Sequence, residues 1–270
     1  ACNPKIRSLN ALHAAEKECA RAGSAGLSAT FYRGDRSVRE SGFDITFKFG
    51  PFGAGTPDYA PVGLNSLLYN EAQNLAWMAK TLGRRSEAGE WQSRAGSLRA
   101  AMDRYFWNAK RGLYFDYNFK TGKQSGYLYA TTFYPLWVGA ASRPQAEAVD
   151  KNLNLLDEPG GIVMSRNRSG GQWDYPYGWA PLQLITVEGL RRYGYAARAD
   201  RIAGDFLSMV DENFLRDHTI REKYNVVTRS DEVTIRVGYS QNVIGFGWTN
   251  GVFVTLFDEL PAAWRRQALK

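Results

Sequence analysis

Cysteine and histidine are nearly missing from this chain, with two of each in 270 residues: Cys2, Cys19, His13 and His218. Two thiols do not make a disulfide framework. They stand either as one bridge in an oxidising compartment or as free, partly buried groups. No Cys/His set has the spacing of a zinc site, so no metal is expected. A Ser-His-Asp triad would have to recruit one of two histidines, neither of which sits beside a nucleophile elbow. Catalysis is therefore expected to run on carboxylates. Also lacking is any apolar run long enough to cross a bilayer, which argues against a membrane-embedded chain. No Ser/Pro-rich, low-complexity or charge-block linker divides the sequence, and residues 1–270 read as a single domain. Lys+Arg of 34 against Asp+Glu of 27 gives a net charge of +7. The basic residues are scattered, as in Arg191-Arg192 and Arg265-Arg266, with no aromatic-interleaved tract. That is a solvated basic surface, and a nucleic-acid partner is not expected. The start, Ala1-Cys2-Asn3-Pro4, has no basic segment followed by an apolar one. Either a signal has been removed or the chain starts inside a longer protein, and both periplasm and cytosol stand as compartments.

What is present is helical periodicity. Residues 65–82 carry Leu67, Leu68, Asn74, Leu75, Met78 and Leu82 as an apolar stripe ending at Gly83. A second helix fits 86–107, with Trp91, Leu98, Met102 and Tyr105 a turn or two apart. Further helices fit 128–141, 144–155, 179–193, 195–215 and 243–258, the fifth of the seven entered through Pro181. Short strands are expected near 114–117 and 226–237. Long Gly/Pro-rich loops at 41–63, 157–178 and 219–248 hold the unusual residues. Paired helices with long loops describe an all-α helical barrel or toroid better than a tight bundle.

The densest of those loops runs Gln172-Trp173-Asp174-Tyr175-Pro176-Tyr177-Gly178-Trp179-Ala180-Pro181. Aromatic faces beside a carboxylate and a carboxamide suit a sugar, which has apolar C–H faces and hydroxyl edges. Two other loops carry acids. In Glu40-Ser41-Gly42-Phe43-Asp44, Gly42 allows close backbone approach to a ligand, and Phe43, Phe47 and Phe49 provide the apolar surroundings a general acid needs. Alternatively, Asp44 or Glu40 caps a helix or pairs with Arg33, Arg36 or Arg39. Glu222, between Arg221 and Lys223, has the cationic neighbours of a general base or of a plain surface ion pair. In Gly245-Phe246-Gly247-Trp248-Thr249-Asn250-Gly251, rings alternate with exposed backbone. Tight helix packing with Trp248 in the core is the alternative there.

Together these motifs resemble the trehalases of glycoside hydrolase family 37. The Gln172–Pro181 stretch is similar to a signature of that family. Glu40–Asp44, Pro159-Gly160-Gly161-Ile162, Glu222-Lys223-Tyr224 and Gly245–Gly251 follow in the family's order. The resemblance implies an (α/α)6 barrel that hydrolyses α,α-trehalose with inversion, with Asp44 as general acid and Glu222 as general base. It implies a sugar site lined by Gly42, Phe43, Gln172, Trp173, Asp174, Trp179, Phe246 and Trp248, and no cofactor or metal. The two carboxyls of an inverting pair stand roughly 6.5–9.5 Å apart, leaving room for water. The family's other signature is absent, so the chain is similar to the C-terminal half of the enzyme, an incomplete barrel whose partner would be the missing N-terminal half. Three departures bear on the substrate, which could then be another glucoside or glucosyl conjugate. Tyr239 stands where the family carries Glu, Phe43 where it carries Trp, and Gly63 where it carries Asp.

Overall fold

The computed structural model describes residues 27–268; Cys2, His13 and Cys19 lie outside them. Helix α1 (Ala29–Glu40) begins where the Ser28 hydroxyl accepts the Phe31 N–H at 3.2 Å. The sequence reading did not anticipate it. Helices α2 (Val62–Thr81) and α3 (Arg85–Tyr105) form a hairpin that turns at Gly83, where φ is +75°. The predicted helix at 128–141 is instead a 3-10 turn (Ala130–Phe133) running into the single turn α4 (Tyr134–Trp137), ended by Gly139 at φ +72°. Helix α5 (Arg143–Lys151) starts in a capping box in which Ser142 and Gln145 satisfy each other's N–H groups. It stops before the predicted boundary at 155, in a 3-10 turn over Leu153–Leu155. Then come α6 (Ala180–Arg192), α7 (Ala196–Asp217), α8 (Gly247–Glu259) and a short α9 (Ala262–Ala268), the last also unforeseen.

Packing arranges these helices in two layers. Helix α6 lies between α4 and α8, and α4 in turn packs on α2. Behind that inner arc, α3 covers α2 and α7 covers α6, with α9 against α7. Inner and outer helices alternating in this way are the arrangement of an α/α barrel. Helix α6 is central because nearly all of its surface is buried: Ala180, Leu182, Ile185, Val187 and Leu190 fill the core, and the Thr186 hydroxyl returns to the Leu182 carbonyl at 2.7 Å.

The apolar stripe read on α2 does not face the core. Leu67, Leu68, Met78 and the following Leu82 are exposed, and the buried positions are Val62, Gly63, Ser66, Tyr69, Ala72, Ala76 and Ala79. Small residues let α2 approach its neighbours closely, so the face chosen for burial is the one with the least bulk, not the most apolar one. Leu64 and Trp77 join the large apolar residues left on the open side.

The strands are short antiparallel pairs. β1 (Tyr59–Ala60), β4 (Tyr117–Asn118) and β5 (Lys123–Gln124) make one sheet, and β2 (Trp107–Asn108) pairs with β3 (Leu113–Tyr114). β6 (Asp157–Glu158) pairs with β7 (Gly161–Ile162), and β8 (Tyr177–Trp179) with β9 (Lys223–Asn225). The strand pieces expected near 226–237 are reduced to single bridges, Asn225 to Ser230 and Gly171 to Val237.

A buried ion pair fastens the first long loop to the helices. Lys48 Nζ lies 3.0 Å from Asp116 Oδ2, with both side chains almost wholly buried. Asp116 Oδ1 accepts the Val62 N–H at 2.8 Å, so the same carboxylate caps α2. This is why α2 starts at Val62, three residues before the predicted start. The ammonium also lies over the rings of Phe43, Phe49 and Tyr129, at 5.1, 4.8 and 4.4 Å. Burial pushes the Lys48 ammonium below its usual range, against the upward pull of Asp116. Replacing Asp116 with Ala leaves a buried cation unpaired and uncaps a helix. We expect a loss of roughly 3–5 kcal/mol in denaturant unfolding, and a smaller loss when Lys48→Met is combined with it.

Candidate active site

Three loops converge through hydrogen bonds between residues far apart in sequence. The Asp44 carbonyl accepts the Trp173 indole N–H at 2.8 Å and a short bond from the Gln172 carboxamide. The first loop is thereby clamped to the second through the main chain of Asp44. The second and third loops join as β8 and β9, where Gly178 faces Tyr224 and Trp179 faces Lys223. That register puts Glu222 immediately beyond the end of the ladder. Its carbonyl accepts the Thr249 hydroxyl at 3.3 Å and the Trp248 indole N–H at 3.4 Å, both from the start of α8.

Aromatic rings fill the space between. Trp173 and Trp179 stack with centroids 3.7 Å apart and planes 12° from parallel. Phe43 meets Trp173 edge-on at 5.2 Å, Trp248 meets Trp179 edge-on at 5.7 Å, and Phe246 tilts against Trp248 at 4.6 Å. A cleft of about 330 Å³ opens beside them, lined by Gly42, Phe43, Lys48, Leu64, Trp173 and Trp248 among others. Gly42 has φ +81° with no heavy atom near its missing Cβ, so backbone conformation rather than space requires glycine there.

Of the eight residues selected for sugar binding, four line the cleft, three lie behind it, and Phe246 stands outside both groups against Trp248. Gly42, Phe43, Trp173 and Trp248 line the cleft. Gln172, Asp174 and Trp179 are at most 1% exposed, and their polar atoms are already engaged by the protein. The Trp179 indole donates to the Gln172 carbonyl at 2.9 Å. Asp174 accepts from Tyr127 at 2.8 Å, from Ser165 at 2.6 Å and from Ser169. Burial nevertheless holds the Asp174 carboxyl above its ordinary range, since the three hydroxyls and Lys48 offset only part of the desolvation. These three residues build the wall from behind. Neither Asp44 nor Glu222 is among the cleft-lining residues. Asp44, half-buried, directly follows Phe43, and Glu222 bonds to Trp248 through its carbonyl.

The ion-pair alternative holds for Glu40 but not for Asp44, and the surface-pair alternative does not hold for Glu222. Arg36 pairs with Glu40 and Arg39 with Asp35, so no direct ion pair forms between Asp44 and the arginines of α1. Glu222 is 8% exposed, and its partner Lys223 is fully buried, so their ion pair is not a surface one. Lys223 Nζ also reaches the Gln241 carbonyl at 3.1 Å and lies 5.1 Å from the Trp179 ring centroid. Upstream, the Asp217 carboxyl is held down at about 2 by hydrogen bonds from Thr219 and Arg221, which anchors the approach to Glu222. Trp248 is 36% exposed rather than part of the core.

Other contributors went unnoticed in the sequence. Lys48, Thr131 and Tyr134 line the cleft, and Gln183 reaches from α6 to bond both the N–H and the C=O of Ile162, each at 2.7 Å. The available signal was a lysine between two phenylalanines, Phe47-Lys48-Phe49. Gly160 lies under this wall. A Cβ there would sit 2.5 Å from Met209 Sδ and 2.9 Å from the Val226 carbonyl, which explains the glycine by space. No group of His, Cys, Asp and Glu among the described residues could hold a metal ion, and none of their helices is long and apolar enough to cross a membrane.

Comparison with known proteins shows what the chain as a whole is similar to. The family model described as Trehalase matches residues 6–261. The cytosolic neutral trehalase of Neurospora crassa is 35% identical over 87% of this chain and 36% of its own length. The periplasmic trehalase of Xanthomonas oryzae pv. oryzae is 35% identical over 89% of this chain and 43% of its own. The chain thus spans less than half the length of these curated relatives. The solved neutral trehalase Nth1 from Saccharomyces cerevisiae superposes with a TM-score of 0.76 at 32% identity, covering 88% of this chain and 44% of that one. A mannosylglycerate hydrolase of Thermus thermophilus, 22% identical with a TM-score of 0.57, shares the fold. The expected all-α (α/α)6-barrel class is the observed one.

Asp174→Asn keeps the shape of the side chain but turns one acceptor into a donor facing hydroxyls. We expect it to cost about 1–3 kcal/mol in thermal or denaturant unfolding. The stacked indoles should also report a change in near-ultraviolet circular dichroism.

Proposed function

The chain belongs to the trehalase family, and we propose that it carries the acid–base machinery of an inverting glycosidase acting on α,α-trehalose. The observation that supports this most directly is the aromatic cleft with one carboxylate-bearing loop clamped on each side. Phe43 and Trp173 lead to Asp44, and Trp248 leads to Glu222. Apolar rings suit the C–H faces of a glucose ring, and water excluded by them strengthens every charge effect inside.

In this reading Asp44 donates its proton to the oxygen joining the two glucoses. Glu222 takes a proton from a water on the opposite ring face, and that water forms the new bond to the anomeric carbon. The departing glucose keeps the proton from Asp44, and charge on the oxocarbenium-like centre disperses as the water adds. Lys223 holds the Glu222 carboxylate in place. Gln172 and Trp173 hold the main chain of Asp44.

Another glucoside or glucosyl conjugate is the second reading, and Tyr239 favours it by standing where the resemblance puts a glutamate, with its N–H donating to Gln172 Oε1 at 3.1 Å. The partner in either case is a small sugar. A polypeptide partner, the N-terminal half of such a barrel, is supported by the large apolar residues on the open side of α2, namely Leu64, Leu67, Leu68, Trp77 and Met78. With those faces uncovered, the 270-residue chain alone should show little or no turnover, and supplying that half should raise it.

The test is a substrate panel of trehalose, maltose, kojibiose and glucosylglycerate, with the anomer of the first-formed glucose read by NMR. With the N-terminal half supplied, trehalose turnover giving β-glucose from one half is the expected result. Asp44→Asn and Glu222→Gln should each reduce the rate by at least about 10²-fold, the first with its unfolding midpoint unchanged and the second with a lower one, because the buried Lys223 loses its partner. Near-normal rates in either variant, or retention at the anomeric carbon, would sink the assignment.

A further inference from the structure

The wall built by the first two loops has a second face. Phe47 and Lys48 are consecutive, yet Lys48 lines the aromatic cleft while Phe47 lines a separate, open depression of about 440 Å³. Tyr127, Asn167, Arg168 and Ser169 line that depression too. Arg168 and Ser169 also line a smaller one of about 200 Å³, which continues to Thr234 and Arg236. The two make one groove, and it shares no lining residue with the cleft.

One end of the groove is aromatic. Phe47 is half-buried and tilted on Phe52 at 5.2 Å, which holds its ring in place, and Tyr127 lines the same end. Asn167 bonds through its main chain, its N–H to Ser165 and its carbonyl to Tyr175. Its exposed carboxamide makes no hydrogen bond among the described residues. Ring faces beside an unspent carboxamide suit the C–H face and hydroxyl edge of a sugar.

The other end is cationic. Arg168 Cζ lies 4.0 Å from the Tyr175 ring centroid, which holds the guanidinium over the ring and leaves its N–H groups for a ligand. The Arg236 N–H donates to the Gly170 carbonyl at 3.0 Å. Its stem crosses Gly170, where a Cβ would come 3.3 Å from Arg236 Cβ. Arg166 nearby pairs with Glu158, but neither Arg168 nor Arg236 makes an ion pair among the described residues. Thr234 spends its N–H and carbonyl on the Tyr177 hydroxyl and keeps its own hydroxyl. Two guanidinium groups and a hydroxyl match the acceptor oxygens of a phosphate.

We propose that this groove is a second carbohydrate site, distinct from the cleft, that binds a phosphorylated sugar: Phe47 and Tyr127 take the sugar ring, and Arg168 and Arg236 take the phosphate. A neutral sugar would leave both cations unused, and a bare phosphate would leave the aromatic end empty. The site does not depend on which acids act in the cleft. It adjoins them all the same, since Tyr127 and Ser169 also hold Asp174, and the next residue, Trp173, lines the cleft.

The test is isothermal titration of the 270-residue chain with glucose 6-phosphate, inorganic phosphate and glucose. We expect glucose 6-phosphate to bind at least about tenfold more tightly than either of the others. Replacing both Arg168→Gln and Arg236→Gln should weaken it by about 10–100-fold. Both side chains are exposed, so the unfolding midpoint should stay where it was. Phe47→Leu, which keeps an apolar group on Phe52, should weaken glucose 6-phosphate by about 3–10-fold and leave inorganic phosphate unaffected. Equal affinity for phosphate and glucose 6-phosphate would make the groove an oxyanion patch only and overturn the proposal. Full binding by the double-arginine variant would put the ligand elsewhere and overturn it as well. Neither result touches the glycosidase reading, which turnover alone decides.

Discussion

The site depends on one stacked pair of indoles. Trp173 hydrogen-bonds the main chain of Asp44, and Trp179 is paired across β8 and β9 with Lys223, the neighbour of Glu222. The two rings lie 3.7 Å apart. The spacing between the two acid-bearing loops is thus set largely by the thickness of an aromatic stack, a contact that resists compression steeply. Its energy beyond area burial is modest, about 0.5–1.5 kcal/mol. Its importance is geometric: rigid groups hydrogen-bonded at their edges transmit position across the gap more faithfully than flexible aliphatic chains.

The loops around that stack are held by buried polar groups, not by extended secondary structure. Asp174 gathers three hydroxyls, Gln183 imitates a strand for Ile162, and Asp116 serves both Lys48 and the first N–H of α2. Such groups add only about 0.5–1.5 kcal/mol each when satisfied and cost more when left alone. That asymmetry suits a binding wall. Many alternative loop conformations would strand a buried donor or acceptor, so the observed one is selected by the expense of its competitors.

Helix positions were largely legible in the sequence where a helix has one apolar face and clear ends. Helices α3, α6 and α7 fall within a few residues of the boundaries read from periodicity and from Pro181. Helix α2 was placed correctly, but the sequence alone does not say that Ala72, Ala76 and Ala79 face the neighbouring helices while Leu67, Leu68 and Met78 face the open side. The short helix α9 carries too few residues for a period to register, and α4 is one turn set among aromatics. At the site, residue types signalled sugar chemistry, yet only the fold separates the residues that line the cleft from those behind it. The decisive bonds join residues about half a chain apart, as from Gln172 to Asp44, and no local pattern encodes them. Lys48 is the clearest omission, since its meaning comes from Asp116, a residue in another loop.

Both acids proposed for catalysis are gripped by their main-chain carbonyls, Asp44 by Gln172 and Trp173, Glu222 by Trp248 and Thr249. Every amino acid offers that carbonyl, so the scaffold specifies where these residues stand without specifying what they are. Selection on stability therefore sees the aromatic and carboxamide frame and, through the buried Lys223, the Glu222 carboxylate, but is nearly blind to the carboxylate of Asp44. A descendant could exchange Asp44 and keep the surrounding motifs intact. In such a lineage the motifs would trace inheritance of a framework, and the presence of that acid would be a separate record of continued use.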